Sequence, residues 1–241
     1  MNRAIVRLAV AAAILVGVAS GPSELVVPSE SVARAQEKKD EKAADPNAGY
    51  TARRRQTQAA PGMPRPLEMT TMIHDSPKYG HRADSYQADR ITMSICNDYA
   101  DGTLLFLFHT TKTYTCRKRS PGSRPAGQMQ DPRLALRQAL AGAHTKLGRR
   151  TIEGIEAEGI EVRETTEGHK ANFKIDSVTT QYWSGVETGC PILVEQTLLG
   201  NGGAIRIKAV TDQFRWNVPL DPNEFKARIP PGYTEMKLPK L

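Results

Sequence analysis

The feature that most constrains the fold is a series of three strand-like runs separated by glycine-containing turns in the second half of the chain. Glycine adopts the positive φ values that tight hairpins need. Consecutive strands joined by such short turns pair antiparallel. The pattern therefore predicts an antiparallel meander that forms the second half of one sheet. In chain order, the runs and turns are residues 173–183, 185–189, 191–199, 200–203 and 204–218.

The preceding part of the chain supplies further strand signals. The segment at 82–98 alternates apolar and polar residues, as a half-buried strand does. The continuous apolar run at 104–108 is typical of a strand buried on both faces. Short segments at 67–73 and 113–116 also have the composition of strands. We expect these segments to complete the sheet.

One helix is predicted after them. Asp131 is a suitable N-cap and Pro132 a suitable first helical residue, and leucines at 136 and 140 place apolar side chains on consecutive turns. Gly142 or Gly148 ends the helix. We expect it to lie across an open face of the sheet.

The segment at 147–162 contains short alternations of isoleucine and glutamate around two glycines. It predicts two strands or one strongly bent strand. The glutamates could suggest a paired-carboxylate site, but alternating glutamate is more typical of the wet face of a sheet. The expected buried set is Ile152, Ile155, Ile160 and Val162.

The N-terminus has the pattern of a secretion signal. Two arginines precede an unbroken apolar run at 8–19, which is shorter than the roughly 20 residues that cross a bilayer. We interpret residues 1–35 as a signal peptide, with cleavage after position 19, 20 or 35, or as an N-terminal anchor. Either interpretation predicts an exported protein, periplasmic or associated with a membrane.

Residues 36–66 are rich in charged residues, glutamine, alanine and proline, and are predicted to be a disordered linker. The folded domain is then expected over 67–241. Arg53, Arg54 and Arg55 could act as an interaction arm that touches anionic lipid headgroups or an acidic partner. A net charge of +7 permits such contacts but is too mild and too dispersed to predict a nucleic-acid-binding protein.

The potential catalytic and metal-binding residues form no recognisable motif. The five histidines lack helical ligand spacing, and no G-x-S-x-G sequence occurs. Cys96, Cys116 and Cys190 match no zinc spacing. If a strand separates Cys96 from Cys116, their Cα atoms lie roughly 9–10 Å apart, too far for a disulfide. The sequence therefore favours buried, unbridged thiols and predicts no catalytic site, metal or cofactor.

Three segments together resemble a known family. They are HTKLGRRTIEGIEAEGIEV at 144–162, YWSGVETGCPILVE at 182–195 and FRWNVPLDPNEFKARIPPGY at 214–233. This combination is similar to bacterial envelope proteins of the LolA-like superfamily, which includes outer-membrane lipoprotein-sorting factors and RseB-type sensor modules. The resemblance covers about residues 67–235.

The resemblance implies an α+β fold in which a curved antiparallel sheet, an unclosed barrel, carries one or more helices on its concave side. It also implies a non-enzymatic exported protein that binds lipid or an acylated protein in that concavity. Apolar residues on the predicted strands would line the cavity, unless they simply pack against the helix. They are Leu105, Leu107, Ile152, Ile192, Val194, Ile205 and Ile207.

A second hypothesis uses the same sheet differently. The chain would be a structural or sensing subunit of a bacterial envelope complex that acts through its surface and its extended N-terminal arm. An apolar cavity of several hundred Å³ would favour lipid binding, whereas a solid core with an ordered arm would favour the complex. An exported hydrolase is the remaining alternative, and it requires a serine or histidine with a partner carboxylate in a cleft.

Overall fold

The structure is a computed structural model that describes residues 48–118, 131–164 and 174–236. In these ranges it contains twelve β-strands, one α-helix and one short 3₁₀ helix. The helix α1 (Pro132–Ala141) lies between β6 and β7, and the 3₁₀ helix (Pro222–Phe225) lies between β11 and β12. The strands are β1 (Ala48–Ala59), β2 (Leu67–Ser76), β3 (Gly80–Gln87), β4 (Arg90–Asp98), β5 (Thr103–Phe108), β6 (Thr113–Lys118), β7 (Thr145–Ile152), β8 (Ile155–Glu164), β9 (Ile175–Gly185), β10 (Pro191–Gly200), β11 (Ile205–Pro219) and β12 (Thr234–Glu235).

The twelve strands form one sheet in the order β12-β6-β5-β4-β3-β2-β1-β11-β10-β9-β8-β7. Neighbouring strands pair antiparallel, apart from a two-residue parallel pairing of β12 with β6. The predicted meander is confirmed, because β9, β10 and β11 are adjacent and joined by the two glycine-containing turns. The sheet thus consists of two consecutive meanders, β2–β6 and β7–β11, with β1 between them.

The hydrogen-bond register divides the sheet into two faces, because side chains alternate along a strand and residues paired across a ladder share a face. We define the inner face as the one that carries Tyr50 and its partner Trp216. Helix α1 lies on this face, with the guanidinium of Arg133 4.9 Å from the ring centre of Trp216. The outer face carries Arg53 and its partner Asp212. The predicted fold, a curved and unclosed antiparallel sheet with a helix on its concave side, is confirmed.

Helix α1 begins and ends where the sequence predicts. The Asp131 carboxylate accepts a hydrogen bond of 2.8 Å from the Arg133 backbone N–H, which is the contact of an N-cap. The Gly142 N–H closes the last turn on the Gln138 carbonyl at 3.0 Å. Leu136 is buried and anchors the helix to the sheet.

The prediction of a disordered linker over 36–66 is wrong for Ala48–Ala59, which is strand β1 at the centre of the sheet. This strand pairs with β2 on one side and β11 on the other. Its polar composition was misleading because its backbone is hydrogen-bonded on both edges, and because Asp212 of β11 neutralises Arg53 and Arg55. Residues 36–47, and the predicted signal or anchor at 1–35, lie outside the described residues.

The predicted single strand at 82–98 is also wrong, because the chain turns at Ala88 and Asp89 to form β3 and β4. Both turn residues have positive φ, 45° and 52°. This is the backbone of a tight two-residue hairpin, which normally uses asparagine or glycine. An Ala-Asp pair gives no such signal.

The segment at 147–162 forms two strands, β7 and β8, and this alternative of the prediction is confirmed. Its expected buried set is correct for Ile160 but wrong for Ile155, which is 48% exposed beside the hairpin turn. Glu153, Glu156 and Glu158 are exposed, as expected for a wet face.

The C-terminal segment, which comprises the described residues 220–236 after β11, packs on the outer face of β3–β6. Phe225 is fully buried, and its carbonyl oxygen lies 2.9 Å from the Sγ of Cys96. Tyr233 packs against the buried side chains of Leu105 and Leu107. The outer face of this half of the sheet is therefore covered by the chain itself.

Candidate functional site

The inner face of strands β9–β11 carries an apolar cluster. Its buried members are Ile175, Val178, Leu198 and Ile207, and the half-buried Ile205 packs against them. These residues share one face because Leu198 pairs with both Val178 and Ile207. Ile205 therefore forms the accessible rim of the cluster, and the four buried side chains are packed beneath it.

Two further clusters continue the apolar surface across the inner face. Ala83, Met93, Ile95 and Leu104 are buried on β3–β5, with Phe106 and Phe108 half-buried beside them. Between the halves lies an aromatic group in which Phe214 and Trp216 are stacked, with ring centres 5.2 Å apart, and Tyr50 is 4.9 Å from Trp216. An apolar ligand on this face would contact hydrocarbon and aromatic surface on both sides of β1.

A group of hydrogen-bonded polar side chains separates the two larger clusters. Arg54 donates a hydrogen bond of 3.3 Å from Nη2 to Gln196 Oε1, and Gln196 contacts Thr180 at 3.5 Å. On the other side of β1, the hydroxyls of Thr71 and Ser85 are 3.0 Å apart. Burial lowers the pKa of Arg54 from its ordinary value. This polar row places a cation and neutral hydrogen-bonding groups between apolar surfaces.

The seven predicted cavity residues do not share one face. Val194, Ile205 and Ile207 lie on the inner face, because Val194 pairs with Thr211 in the same register as Ile207. Leu105 and Leu107 lie on the outer face beneath Tyr233.

The remaining two, Ile152 and Ile192, lie at one end of the sheet. Ile152 pairs with Ile155 beside the hairpin turn. A Cβ atom placed on Gly185 would lie 3.5 Å from Ile155 and 3.8 Å from Ile192. The structure thus groups Ile152 and Ile192 with Ile155 and the exposed Val186, away from the inner-face clusters.

The three arginines expected to act as an arm alternate between the faces. Arg53 forms two hydrogen bonds to the Asp212 carboxylate, at 2.9 and 3.0 Å, and Arg55 adds a third at 2.6 Å. Arg54 points to the inner face, so a joint contact of all three with a membrane is wrong. The sequence does not identify Arg54 as an inner-face residue, because three consecutive arginines have the composition of a solvated linker. The alternation of Tyr50, Ala52 and Arg54 was the available signal.

A cleft of about 550 Å³ opens on the outer face of β2, β1 and β11. Its lining mixes polar, charged and apolar side chains and includes none of the seven predicted cavity residues. The lining residues are Thr51, Ala52, Met72, His74, Glu153, Gln213, Phe214 and Arg215.

The structure brings a serine, a histidine and an aspartate together on the outer face. The Ser94 hydroxyl donates to Asp84 at 2.6 Å, so its oxygen accepts from His109 Nε2 at 2.8 Å. His109 Nδ1 contacts the Tyr233 hydroxyl at 2.7 Å. A catalytic triad places histidine between serine and aspartate, whereas here the buried serine is in the middle. The chain of bonds fastens the C-terminal segment to the sheet.

Burial lowers the pKa of His109, which favours its neutral form as the acceptor of the Tyr233 hydroxyl. Burial also raises the pKa of the Cys96 thiol to about 12. No disulfide joins Cys96, Cys116 and Cys190, all of which are described, and Cys96 and Cys116 flank Leu105 on neighbouring strands. The expectation of buried thiols holds for Cys96, while the other two are half-buried.

Within the described ranges, no three histidine, cysteine or acidic side chains are grouped closely enough to hold a metal ion. Among the same residues, no helix has the length and apolar character needed to span a membrane.

Comparison with known proteins returned solved structures. The solved structures that follow are each 13% identical or less to this chain. A LolA superfamily protein from Nitrosomonas europaea is 9% identical, with 80% of this chain and 97% of that chain covered and a TM-score of 0.36. The lipoprotein LppX from Mycobacterium tuberculosis is 13% identical, with coverage of 80% and 99% and a TM-score of 0.36.

The MucA/MucB complex from Pseudomonas aeruginosa is 13% identical, with 77% of this chain and 57% of that chain covered and a TM-score of 0.40. No family model and no curated protein matches the sequence.

Proposed function

We propose that the protein is an exported, non-enzymatic component of a bacterial envelope that binds a lipid or an acylated protein on the inner face of its sheet. The observation that carries the proposal is the pattern of this face, on which apolar clusters lie on either side of a polar row centred on Arg54. Export is supported by the charged start and apolar run of the N-terminus.

The apolar clusters match the chemistry of an acyl chain. Burying hydrocarbon is favourable by about 0.8 kcal/mol for each methylene, so a chain of ordinary length gains several kcal/mol even on a partly open surface. The half-buried side chains of Ile205, Val194 and Phe106 provide the accessible apolar contacts. The buried residues beneath them keep this surface rigid.

The polar row matches the other end of such a ligand. The Arg54 guanidinium, held by Gln196, is suited to the ester or phosphate oxygens at the head of a lipid. Because the row lies between apolar clusters, a ligand with one polar head and more than one chain can satisfy both surfaces together.

The test begins with native mass spectrometry of the protein purified from its own envelope, in which a co-purifying lipid or acylated protein is expected. A fluorescent fatty acid then measures binding in solution. Ile205→Asn should weaken binding by about tenfold, because it removes a rim contact and adds a polar group. Ile155→Asn, an exposed isoleucine outside the inner face, is the matched control and should change binding little.

Purified protein without lipid, together with equal effects of the two substitutions, would contradict the proposal. Thermal unfolding of both variants shows whether Ile205→Asn has merely damaged the fold. A folded Ile205→Asn variant with full binding would also count against the inner face.

A second candidate function is a subunit of an envelope complex. It is favoured by the apolar group at the end of the sheet, where Ile155 is 48% and Val186 39% exposed beside the half-buried Ile152 and Ile192. Contiguous exposed apolar side chains commonly mark protein contacts. Ile155→Asn should then abolish a co-purifying protein partner while Ile205→Asn preserves it, so the same two variants separate the two functions.

A further inference from the structure

The outer-face cleft has walls from different parts of the chain. Thr51, Met72 and Arg215 belong to its floor on β1, β2 and β11, and Glu153 comes from the β7–β8 hairpin turn. On the side of β2, His74 is hydrogen-bonded to Glu224 of the 3₁₀ helix at 2.9 Å. The cleft thus lies between the C-terminal segment and the β7–β8 hairpin, and it faces away from the proposed lipid-binding surface.

A bulge in β11 determines which side chain enters this cleft. Before the bulge, Ile207, Ala209 and Thr211 lie on the inner face. The register then shifts, and Gln213 adopts a positive φ of 53°. Beyond it Phe214 lies inward and Arg215 outward, whereas regular alternation would turn Arg215 to the inner face. The strained glutamine therefore aims an arginine into the cleft.

Arg215 is the cation in this cleft that remains available. Within the described ranges, the Arg215 side chain makes no hydrogen bond or ion pair, and the residue is exposed. His74 is occupied by Glu224. Arg53 is occupied by Asp212, whose hydrogen bond raises the pKa of Arg53, and the Glu153 carboxylate adds to that rise. Glu153 also contributes negative charge to the lining of the cleft.

We propose that this cleft is a second ligand site, specific for an organic anion with a phosphate or carboxylate group on an apolar stem. Arg215 binds the anionic group as a charge-assisted donor, and the Thr51 hydroxyl lies on the same floor. Met72, which shares the outer face with Arg215, supplies apolar surface for the stem. A volume of about 550 Å³ accommodates a small organic molecule rather than a whole lipid.

The phosphate chemistry could come from a lipid headgroup or from a soluble metabolite, and two probes distinguish them. Dihexanoyl phosphatidic acid, used below its micelle concentration, carries the anion on an apolar stem, and glycerol 3-phosphate carries it without one. Isothermal titration calorimetry with the full chain measures both. We expect saturable binding of the dihexanoyl compound and weaker binding of glycerol 3-phosphate.

The variants exploit two exposed arginines of the same strand and face. Arg215→Gln should weaken binding by about tenfold or more, the loss expected for a charge-assisted bond. Arg206→Gln lies outside the cleft and should change it by less than about twofold. Glu153→Gln should tighten binding by about threefold, because it removes a repulsive carboxylate at the rim. A gain in affinity is a result that partial unfolding does not produce.

Equal binding of the two probes would overturn the proposed specificity for an apolar stem, because a soluble phosphate would then bind as well as a lipid. Equal losses in Arg215→Gln and Arg206→Gln would overturn the proposal, as would the absence of saturable binding in the millimolar range. The inner-face variant Ile205→Asn should leave this site unaffected, so failure of one proposal is distinguishable from failure of the other.

Discussion

The attachment of β1 to β11 can be tested at Asp212. Its carboxylate is 9% exposed and accepts hydrogen bonds from Arg53 at 2.9 and 3.0 Å and from Arg55 at 2.6 Å. Asp212→Asn preserves the shape of the side chain but removes its charge. The two arginines then lie close together without a neutralising carboxylate.

The expected cost can be worked out from these contacts. Hydrogen bonds to charged groups contribute about 1.5–3 kcal/mol, and the bidentate Arg53 pair is of this kind. The Arg55 side chain is 56% exposed, so its pair contributes about 0.5 kcal/mol. Because asparagine retains one acceptor oxygen, we expect the free energy of unfolding to fall by about 2 kcal/mol.

Urea denaturation followed by circular dichroism measures this change, and thermal unfolding should show a decrease of about 4–8 °C for a domain of this size. Arg206→Gln, an exposed substitution on the same strand, is the control and should alter stability by less than about 0.5 kcal/mol. In an Arg53→Gln background the cost of Asp212→Asn should largely disappear. An undiminished cost in that background, or no cost in the wild type, would refute the assignment of the pair.

The same residue predicts a dependence on pH. Burial by itself would raise the pKa of Asp212, but the hydrogen bonds from Arg53 and Arg55 outweigh it and hold the pKa below its usual 3.8. The unfolded chain therefore binds this proton more readily than the folded chain. The stabilisation is complete above the usual pKa and is lost as the pH falls through the lower folded value. The stability curves of wild type and Asp212→Asn should accordingly converge below about pH 4.

Two further outcomes follow from the packing. Gly159→Ala should destabilise the protein by about 1–3 kcal/mol in urea denaturation, because its Cβ would lie only 2.6–2.8 Å from ring atoms of the buried Trp183. The control is Gly142→Ala, which should be close to neutral because its Cβ would meet nothing closer than 3.5 Å. His109 should titrate by NMR below its usual pKa of 6.5, because burial lowers its pKa. His109 binds its proton less readily in the folded protein than in the unfolded chain. The stability that neutral His109 contributes is therefore present above pH 6.5 and decreases as the pH falls below that value. An NMR titration midpoint above 6.5 would contradict this prediction.

The parts of the fold that could be predicted are those with local signals. The β9–β11 meander is marked by glycine turns, and helix α1 is marked by Asp131, Pro132 and Gly142. These residues restrict the backbone within a few positions of themselves, so no tertiary knowledge is needed to interpret them.

Strand β1 could not be predicted in this way because its stabilising partners are remote. Arg53 and Asp212 are 159 positions apart in the sequence. A segment with three consecutive arginines has the composition of a solvated linker unless the carboxylate that neutralises it is known. Composition alone therefore assigns it to the wrong class.

The predicted cavity residues could not be grouped correctly for a different reason. The face that each side chain occupies depends on alternation along its strand, and a bulge interrupts that alternation. Leu105 and Ile207 were both correctly expected on strands, but which face each one occupies depends on the register of every ladder between them. The bulge at Gln213 changes the register within β11 itself, and nothing in the sequence around Gln213 marks it. The apolar character of these residues thus predicted that they are buried. Deciding which of them line the same cavity required the register of the complete sheet.

The position of β1 explains why one sheet forms from two meanders. Strands β2–β6 and β7–β11 are each built from consecutive neighbours, and β1 is the strand that pairs with both groups. Its pairing with β2 is local, but its pairing with β11 joins the beginning and end of the described chain and therefore closes a long loop. The same strand contributes Arg54 to the inner face and Thr51 to the outer cleft. Both proposed sites therefore depend on β1, so weakening its contact at Asp212 should disturb ligand binding on either face before the two meanders themselves unfold.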